Sequence, residues 1–258
     1  MRIATWNVNS LKVRMARVEQ WLAEVAPDVL CMQETKLADA AFPAMAFHGL
    51  GYESVHHGEG RWNGVAIVSR VGLDEPSPGF AGGDVVAGDE ARLVSATCGG
   101  VRVASVYVPN GRSLDHEQYR AKLDWLARLR DHLGASCAPE VPVVVCGDFN
   151  IAPDDRDVYD PAGFVGSTHT SAAERAALGA LEAWGLHDVF RRHFDQDRLY
   201  SWWDYRAGNF HKHLGMRIDL VLATATLADR STFAFIDRNA RKGKLPSDHA
   251  PVVVDFDL

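Results

Sequence analysis

Two stretches of this chain read as strand, helix, strand, and each leaves its second strand into acid and amide side chains. That repeat constrains the fold more than any other feature. In the first stretch, residues 2–6 form a strand, and Leu11, Met15, Val18, Leu22 and Val25 fall on one face of a helix that Asn9 or Ser10 can cap. Pro27 ends the helix region, and the apolar strand Val29-Leu30-Cys31-Met32 leaves into Gln33-Glu34. In the second, a strand over residues 101–108 leaves into Pro109-Asn110-Gly111. Asp115 can cap a helix with Tyr119, Leu123, Leu126 and Leu133 along one stripe, and Val143-Val144-Val145-Cys146 leaves into Gly147-Asp148-Phe149-Asn150. Such positions, just beyond the ends of a rigid sheet, are where α/β proteins assemble polar sites. The repetition implies two similar halves.

Further strands are expected over residues 64–69, 93–97, 218–222 and 252–256, and Ser171-Ala172-Ala173-Glu174 reads as a capping box opening a helix with Leu178, Leu181 and Trp184. Many strands with few helices predict two packed, mixed β-sheets flanked by helices. No Pro/Ser-rich linker or low-complexity tract divides the 258 residues, so residues 1–258 are expected to form one domain.

The net charge of −7 argues against a protein that coats nucleic acid indiscriminately. The charge is uneven, however: residues 201–246 hold eight Lys or Arg against four Asp, net +4, which leaves −11 on the remainder. A local basic surface of this kind can hold a phosphate chain, although a solvated loop is the blander reading of the same stretch. Four cysteines without a CxxC pair read as reduced thiols. The N-terminus turns polar too soon for a signal-peptide core, and the apolar runs are too short to span a bilayer. The expectation is a soluble, cytoplasmic monomer.

Hydrolysis of a phosphate ester needs groups that neutralise the phosphate, activate a water and stabilise the leaving oxygen. Asn7, Glu34, Tyr107, Asp148, Asn150, Asp219, Asp248 and His249 all fall within strands or at their ends. Carboxylate and amide oxygens suit Mg²⁺ or Mn²⁺, and no thiolate cluster competes. Singly, each residue has an ordinary reading: Glu34 as a surface acid or ion-pair partner, Gly147-Asp148-Phe149-Asn150 as a turn closed by its own side chains. Asp219 is more informative, because an acid inside an apolar strand needs a partner, and a histidine is the natural one.

Together the motifs are more specific. Thr-Trp-Asn-Val-Asn (5–9), Gln-Glu-Thr-Lys (33–36), Val-Tyr-Val-Pro-Asn-Gly (106–111), Gly-Asp-Phe-Asn (147–150), Ser-Trp-Trp-Asp-Tyr-Arg (201–206), Met-Arg-Ile-Asp (216–219) and Ser-Asp-His-Ala-Pro (247–251) resemble, in order, those of exonuclease III. This is the abasic-site endonuclease branch of the endonuclease/exonuclease/phosphatase superfamily, and the resemblance runs from residue 3 to residue 255. It implies a four-layer α/β sandwich (DNase I-like), a Mg²⁺ cofactor with Mn²⁺ as an alternative, and double-stranded DNA with abasic sites or blocked 3′ ends as partner. By the same resemblance Glu34 would bind the metal, with Asn7, Asp148, Asn150, Asp248 and His249 in its surroundings. Asp148 would activate the water with Asn150 orienting it, His249 paired with Asp219 would contact the scissile phosphate, and Tyr107 would support the leaving oxygen. Trp202, Met216 and Ile218 would line a pocket for a flipped-out base-less sugar, with Asn110 and Arg112 touching the DNA backbone and Lys36, Arg206 and Arg217 as weaker candidates. Core packing is the plain alternative for one of Trp202 and Trp203. The implied reaction is cleavage 5′ to abasic sites with 3′→5′ exonuclease and 3′-trimming activity. The rivals are a phosphatase or phosphodiesterase of the same superfamily, and a silent DNA-binding module on the same fold.

Overall fold

Strands with apolar side chains on both faces must be covered on both faces, and the inner strands of this protein are. In the computed structural model, which describes residues 1–80 and 90–258, β1 (Arg2–Asn7) leads into α1 (Leu11–Val25) and β2 (Val29–Gln33). Then follow α2 (Ala44–Gly49), β3 (Glu53–His57), β4 (Val65–Ser69), β5 (Asp74–Pro78), β6 (Leu93–Cys98) and β7 (Val101–Tyr107). The next group is α3 (Glu117–Ser136), β8 (Val143–Asp148), α4 (Ala172–Trp184), β9 (Leu186–Asp188) and α5 (Val189–His193). The chain ends with α6 (Asn209–Lys212), β10 (Asp219–Thr224), α7 (Ala225–Ala228), β11 (Ser231–Ile236) and β12 (Val252–Phe256).

The strands form two six-stranded sheets, ordered β11-β12-β1-β2-β4-β3 and β5-β6-β7-β8-β10-β9. Each has a central parallel pair joined by a long helix, β1 with β2 through α1 and β7 with β8 through α3, and antiparallel strands outside it. The sheets face each other across a core that includes Ile3, Cys31, Ile67, Val103, Cys146 and Val254. Leu126, Leu129, Leu178 and Leu181 cover the outer face of the second sheet, and Leu11, Val18, Leu22 and Phe47 that of the first. The result is the expected four-layer sandwich.

Register carries the chain's polar residues to one end. Tyr107 pairs with Asp148 and Asp148 with Asp219, so three strand ends stand side by side, while Asn7 pairs with Gln33 one residue before Glu34. A buried chain of Thr5, Gln33 and Ser105 side chains joins the two sheets just beneath, with Gln33 Nε2 donating to Ser105 Oγ at 3.0 Å.

Several local expectations need correction. Ser10 precedes α1 with φ 84° and makes no side-chain cap. α3 is capped by His116, whose ring accepts from Gln118 N, because the Asp115 carboxylate is taken by the Ser113 hydroxyl. Ser171 and Glu174 do form the capping box of α4. Arg217 is no DNA contact: it is fully buried, with its guanidinium on Asp157 and Asp188. Asp157 is buried with it, while the neighbouring Asp154 and Asp155 are exposed. His56 is held by the Thr35 hydroxyl at 2.8 Å and by Asp39 at 2.8 Å.

At Gly147 β8 lies close against β7: a Cβ there would lie 1.9 Å from the Val106 carbonyl oxygen. Since that oxygen is backbone, nothing can swing aside. Gly147→Ala is expected to lower the unfolding free energy by about 2 kcal/mol or more in urea titration, in the range of strained backbone substitutions; an unchanged midpoint would contradict the close approach.

Candidate active site

The cavity at the shared end of the two sheets has a volume of about 170 Å³. Its walls hold three carboxylates (Glu34, Asp148, Asp248), the His249 ring, Tyr107, the amides of Asn110 and Asn150, and the apolar surfaces of Trp202 and Ile218. His169, a residue outside every motif named above, completes it.

Glu34 follows the last residue of β2 in the left-handed region, at φ 51°. That conformation costs a non-glycine residue about 1 kcal/mol and is held by backbone bonds, Ser10 N to Glu34 O at 2.7 Å and Thr35 N to Gly64 O at 3.1 Å. Lys36 Nζ lies 2.8 Å from Glu34 Oε2 and donates to Asn9 Oδ1, so this lysine serves the site wall and is not a free DNA contact. The other Glu34 oxygen accepts from Asn7 Nδ2 at 2.9 Å, and the same amide nitrogen donates to Asp148 Oδ2 at 2.9 Å. Asn7 thus bridges one carboxylate from each sheet.

Asp148 closes a turn by accepting from Asn150 N at 2.9 Å. Asn150, also left-handed at φ 50°, donates to Val108 O and accepts from Asn110 Nδ2. Opposite stands His249, its Nδ1 2.9 Å from Asp219 Oδ2 and its Nε2 3.8 Å from Asp148 Oδ2. Asp219 is fully buried and also accepts from the Ser201 hydroxyl at 2.6 Å.

The electrostatics follow from this packing. Burial disfavours the His249 imidazolium, but the carboxylates of Asp219 and Asp148 outweigh it and hold the ring's pKa up to about 10. Burial pushes the Asp148 carboxyl up to about 7, with Asp219 and Glu34 adding to the rise and His249 and Asn7 opposing it. Tyr107 is held well above its ordinary value by burial beside Glu34 and Asp148, and Arg92 stacks over its ring at 4.7 Å. His169 is driven down to about 4, by burial and by the nearby Lys122 ammonium, and stays neutral.

Among the described residues, the only group of three acid, histidine or cysteine side chains that converge closely enough for a metal is Glu34, Asp148 and His249, with ligand atoms within 4.8 Å of one another. A protonated imidazole has no lone pair to offer, so the fitting donors are the hard carboxylate oxygens of Glu34 and Asp148. Asn7 turns its nitrogen to the carboxylates while its oxygen accepts from Asn9 N. Asp248 accepts from Asn9 Nδ2 and from the Trp202 indole, and Asn150 is bonded to neighbours at both ends of its amide.

The remaining candidates separate by depth. Trp202 is half-buried on the cavity wall, whereas Trp203 is in the core. Met216 is buried behind the wall, with Ala152, Val158 and Ile218. Arg112 is exposed outside the cavity, and Arg206 is exposed beside Asp204.

Two stacked sheets with carboxylates and an imidazolium converging at one end suit the hydrolysis of phosphate esters. Comparison with known proteins narrows this. Residues 4–249 match the Endonuclease/Exonuclease/phosphatase family. The chain is 32% identical to exodeoxyribonuclease III of Haemophilus influenzae, over 99% of this chain and 100% of that protein. Its fold superposes on an AP endonuclease from Archaeoglobus fulgidus with a TM-score of 0.96, at 39% identity and full coverage of both chains. It superposes with a TM-score of 0.94, at 38% identity and full coverage of both, on the 3′ phosphatase NExo from Neisseria bound to a product DNA hairpin. The chain belongs to the endonuclease/exonuclease/phosphatase family, in its exonuclease III branch.

In metal-free protein, the His249 ring should remain doubly protonated up to about pH 9 by nitrogen-detected NMR. Because its folded pKa lies above the unfolded value of 6.5, the stabilisation is complete below about pH 6.5 and is lost as pH rises through about 10. A ring already neutral at pH 8 would contradict the raised pKa that the Asp219 and Asp148 carboxylates impose.

Proposed function

We propose that this DNA-repair nuclease hydrolyses the phosphodiester 5′ to abasic sites in double-stranded DNA and removes blocking groups from 3′ ends. The observation that carries the reading is the meeting of Glu34 and Asp148, bridged by Asn7, with a protonated His249 beside the apolar wall of Trp202 and Ile218. The A. fulgidus and Neisseria relatives, an AP endonuclease and a 3′ phosphatase, support the two substrate classes.

Mg²⁺, with Mn²⁺ as alternative, is the proposed cofactor; held by Glu34 and Asp148, it would act as a Lewis acid that neutralises phosphate charge. The protein's own groups divide the remaining work. Asp148, buried and poised near neutrality, takes the proton of the attacking water, and Asn150 orients that water. His249 donates from Nε2 to a phosphate oxygen, with Asp219 holding the ring's orientation and its charge through Nδ1. Tyr107, kept protonated, supports the leaving oxygen. Trp202 and Ile218 admit a base-less sugar into a cavity of about 170 Å³ and exclude a nucleotide with its base. Asn110 and Arg112, on the loop beside the cavity, contact the DNA backbone, with Met216 backing the wall. We further propose that the enzyme works in the cytoplasm, where its four free cysteines would stay reduced, and as a monomer.

The direct test is a labelled duplex with one abasic site, incubated with Mg²⁺ or with excess chelator. Cutting with Mg²⁺ and none with chelator is expected, while circular dichroism stays unchanged. Turnover of inositol phosphates but not of this duplex would favour the small-phosphate rival. Asp148→Asn should lower kcat by about 10²–10⁴-fold, as for loss of a general base, and near-normal turnover would remove Asp148 from the mechanism. Trp202→Ala should erode discrimination between abasic and intact DNA more than affinity; an unaltered ratio would return Trp202 to a packing role.

A further inference from the structure

One buried ion pair reaches the cavity from behind without lining it. The side chains of Lys122 on α3 and Glu174 on α4 have no solvent exposure, and their charged atoms lie 2.5 Å apart. We propose that Lys122 and Glu174 are positioning residues for the reaction, holding the backbone of Asn110, Asn150 and His169 so that these side chains wall the cavity. The inference rests on the functional reading above.

Each partner directs its remaining hydrogen bonds to that backbone. Lys122 Nζ donates to Asn150 O at 2.7 Å and to Asn110 O at 3.3 Å. Glu174 Oε1 accepts from His169 N at 3.0 Å and from the Thr168 hydroxyl at 2.8 Å, which itself lies 3.1 Å from Asn110 O. The second carboxylate oxygen is held by Ser171 N and Oγ in the box that starts α4. Two outer helices are thereby tied to three loops that carry cavity side chains.

Asn150 shows why the tie matters. At φ 50° its carbonyl leaves the sheet ladder, and it is satisfied by Lys122 and by the His169 ring, whose Nδ1 lies 2.5 Å away. A buried carbonyl without such donors would pull the turn toward other partners, and Asp148 is bonded to the Asn150 N–H of the same turn. For the fold alone, two apolar side chains of similar volume could replace a buried pair with little loss. They could not hold three loop backbones.

That difference supplies the test. Stability, kcat and KM are compared for wild type, Lys122→Met, Glu174→Leu and the double variant, on duplexes with an abasic site and with a 3′-phosphate, well below every unfolding transition. The single variants should each melt at lower temperature, and the double variant should regain much of the loss. Its kcat should nevertheless stay roughly 10- to 100-fold below wild type, as for a small misplacement of reacting groups, with KM little changed. A double variant with restored kcat would overturn the proposal. Should it fail to fold, the isosteric Glu174→Gln decides: a kcat within about twofold of wild type overturns the proposal, and a larger loss at an intact fold supports it. Wild type inert on both duplexes would overturn the functional reading as well, whereas active wild type with equally active variants overturns this inference alone.

Discussion

The side-chain amide of Asn7 donates to Glu34 Oε1 and to Asp148 Oδ2, each at 2.9 Å, and the rest of the site depends on this bridge. The two acids come from different sheets, and like charges at this spacing repel in a buried setting. The amide hydrogens offset that repulsion and fix the gap between the oxygens. Asn9 N, bonded to Asn7 Oδ1, prevents the amide from turning its oxygen to the carboxylates instead. Because Asn7 is wholly buried at the end of β1, the bridge is as rigid as the sheet that carries it.

Charge balance explains the other half of the cavity. Glu34, Asp148 and Asp219 face one imidazolium, with Lys36 on the outer oxygen of Glu34. This excess of carboxylate favours a divalent cation and an imidazolium at once. The phosphate of a substrate would meet both positive centres.

Most of this was legible in the sequence, for reasons that particular residues make plain. The eight strands recognised from apolar runs are the inner ones, such as Val29-Leu30-Cys31-Met32 and Val143-Val144-Val145-Cys146. The four that escaped, β3, β5, β9 and β11, are the sheet edges, where one side of the ladder faces outward and polar residues or Pro76 blunt the pattern. Cap residues were harder, since Asp115 and His116 compete for one position and only the Ser113 contact decides it. The site motifs were readable because their residues cluster at strand ends. His169 was not, because nothing near it in sequence announces that its ring folds back onto Asn150. Arg217 misled for the opposite reason: an arginine in a basic stretch looks solvated until Asp157 and Asp188 are seen around it.

Two carboxylates from separate sheets, Glu34 and Asp148, are proposed to form one cation site beneath the cavity. Anomalous diffraction from crystals soaked in Mn²⁺ examines it directly. The strongest peak is expected between Glu34 and Asp148, about 2.0–2.3 Å from a Glu34 oxygen. A strongest peak remote from both carboxylates would contradict it.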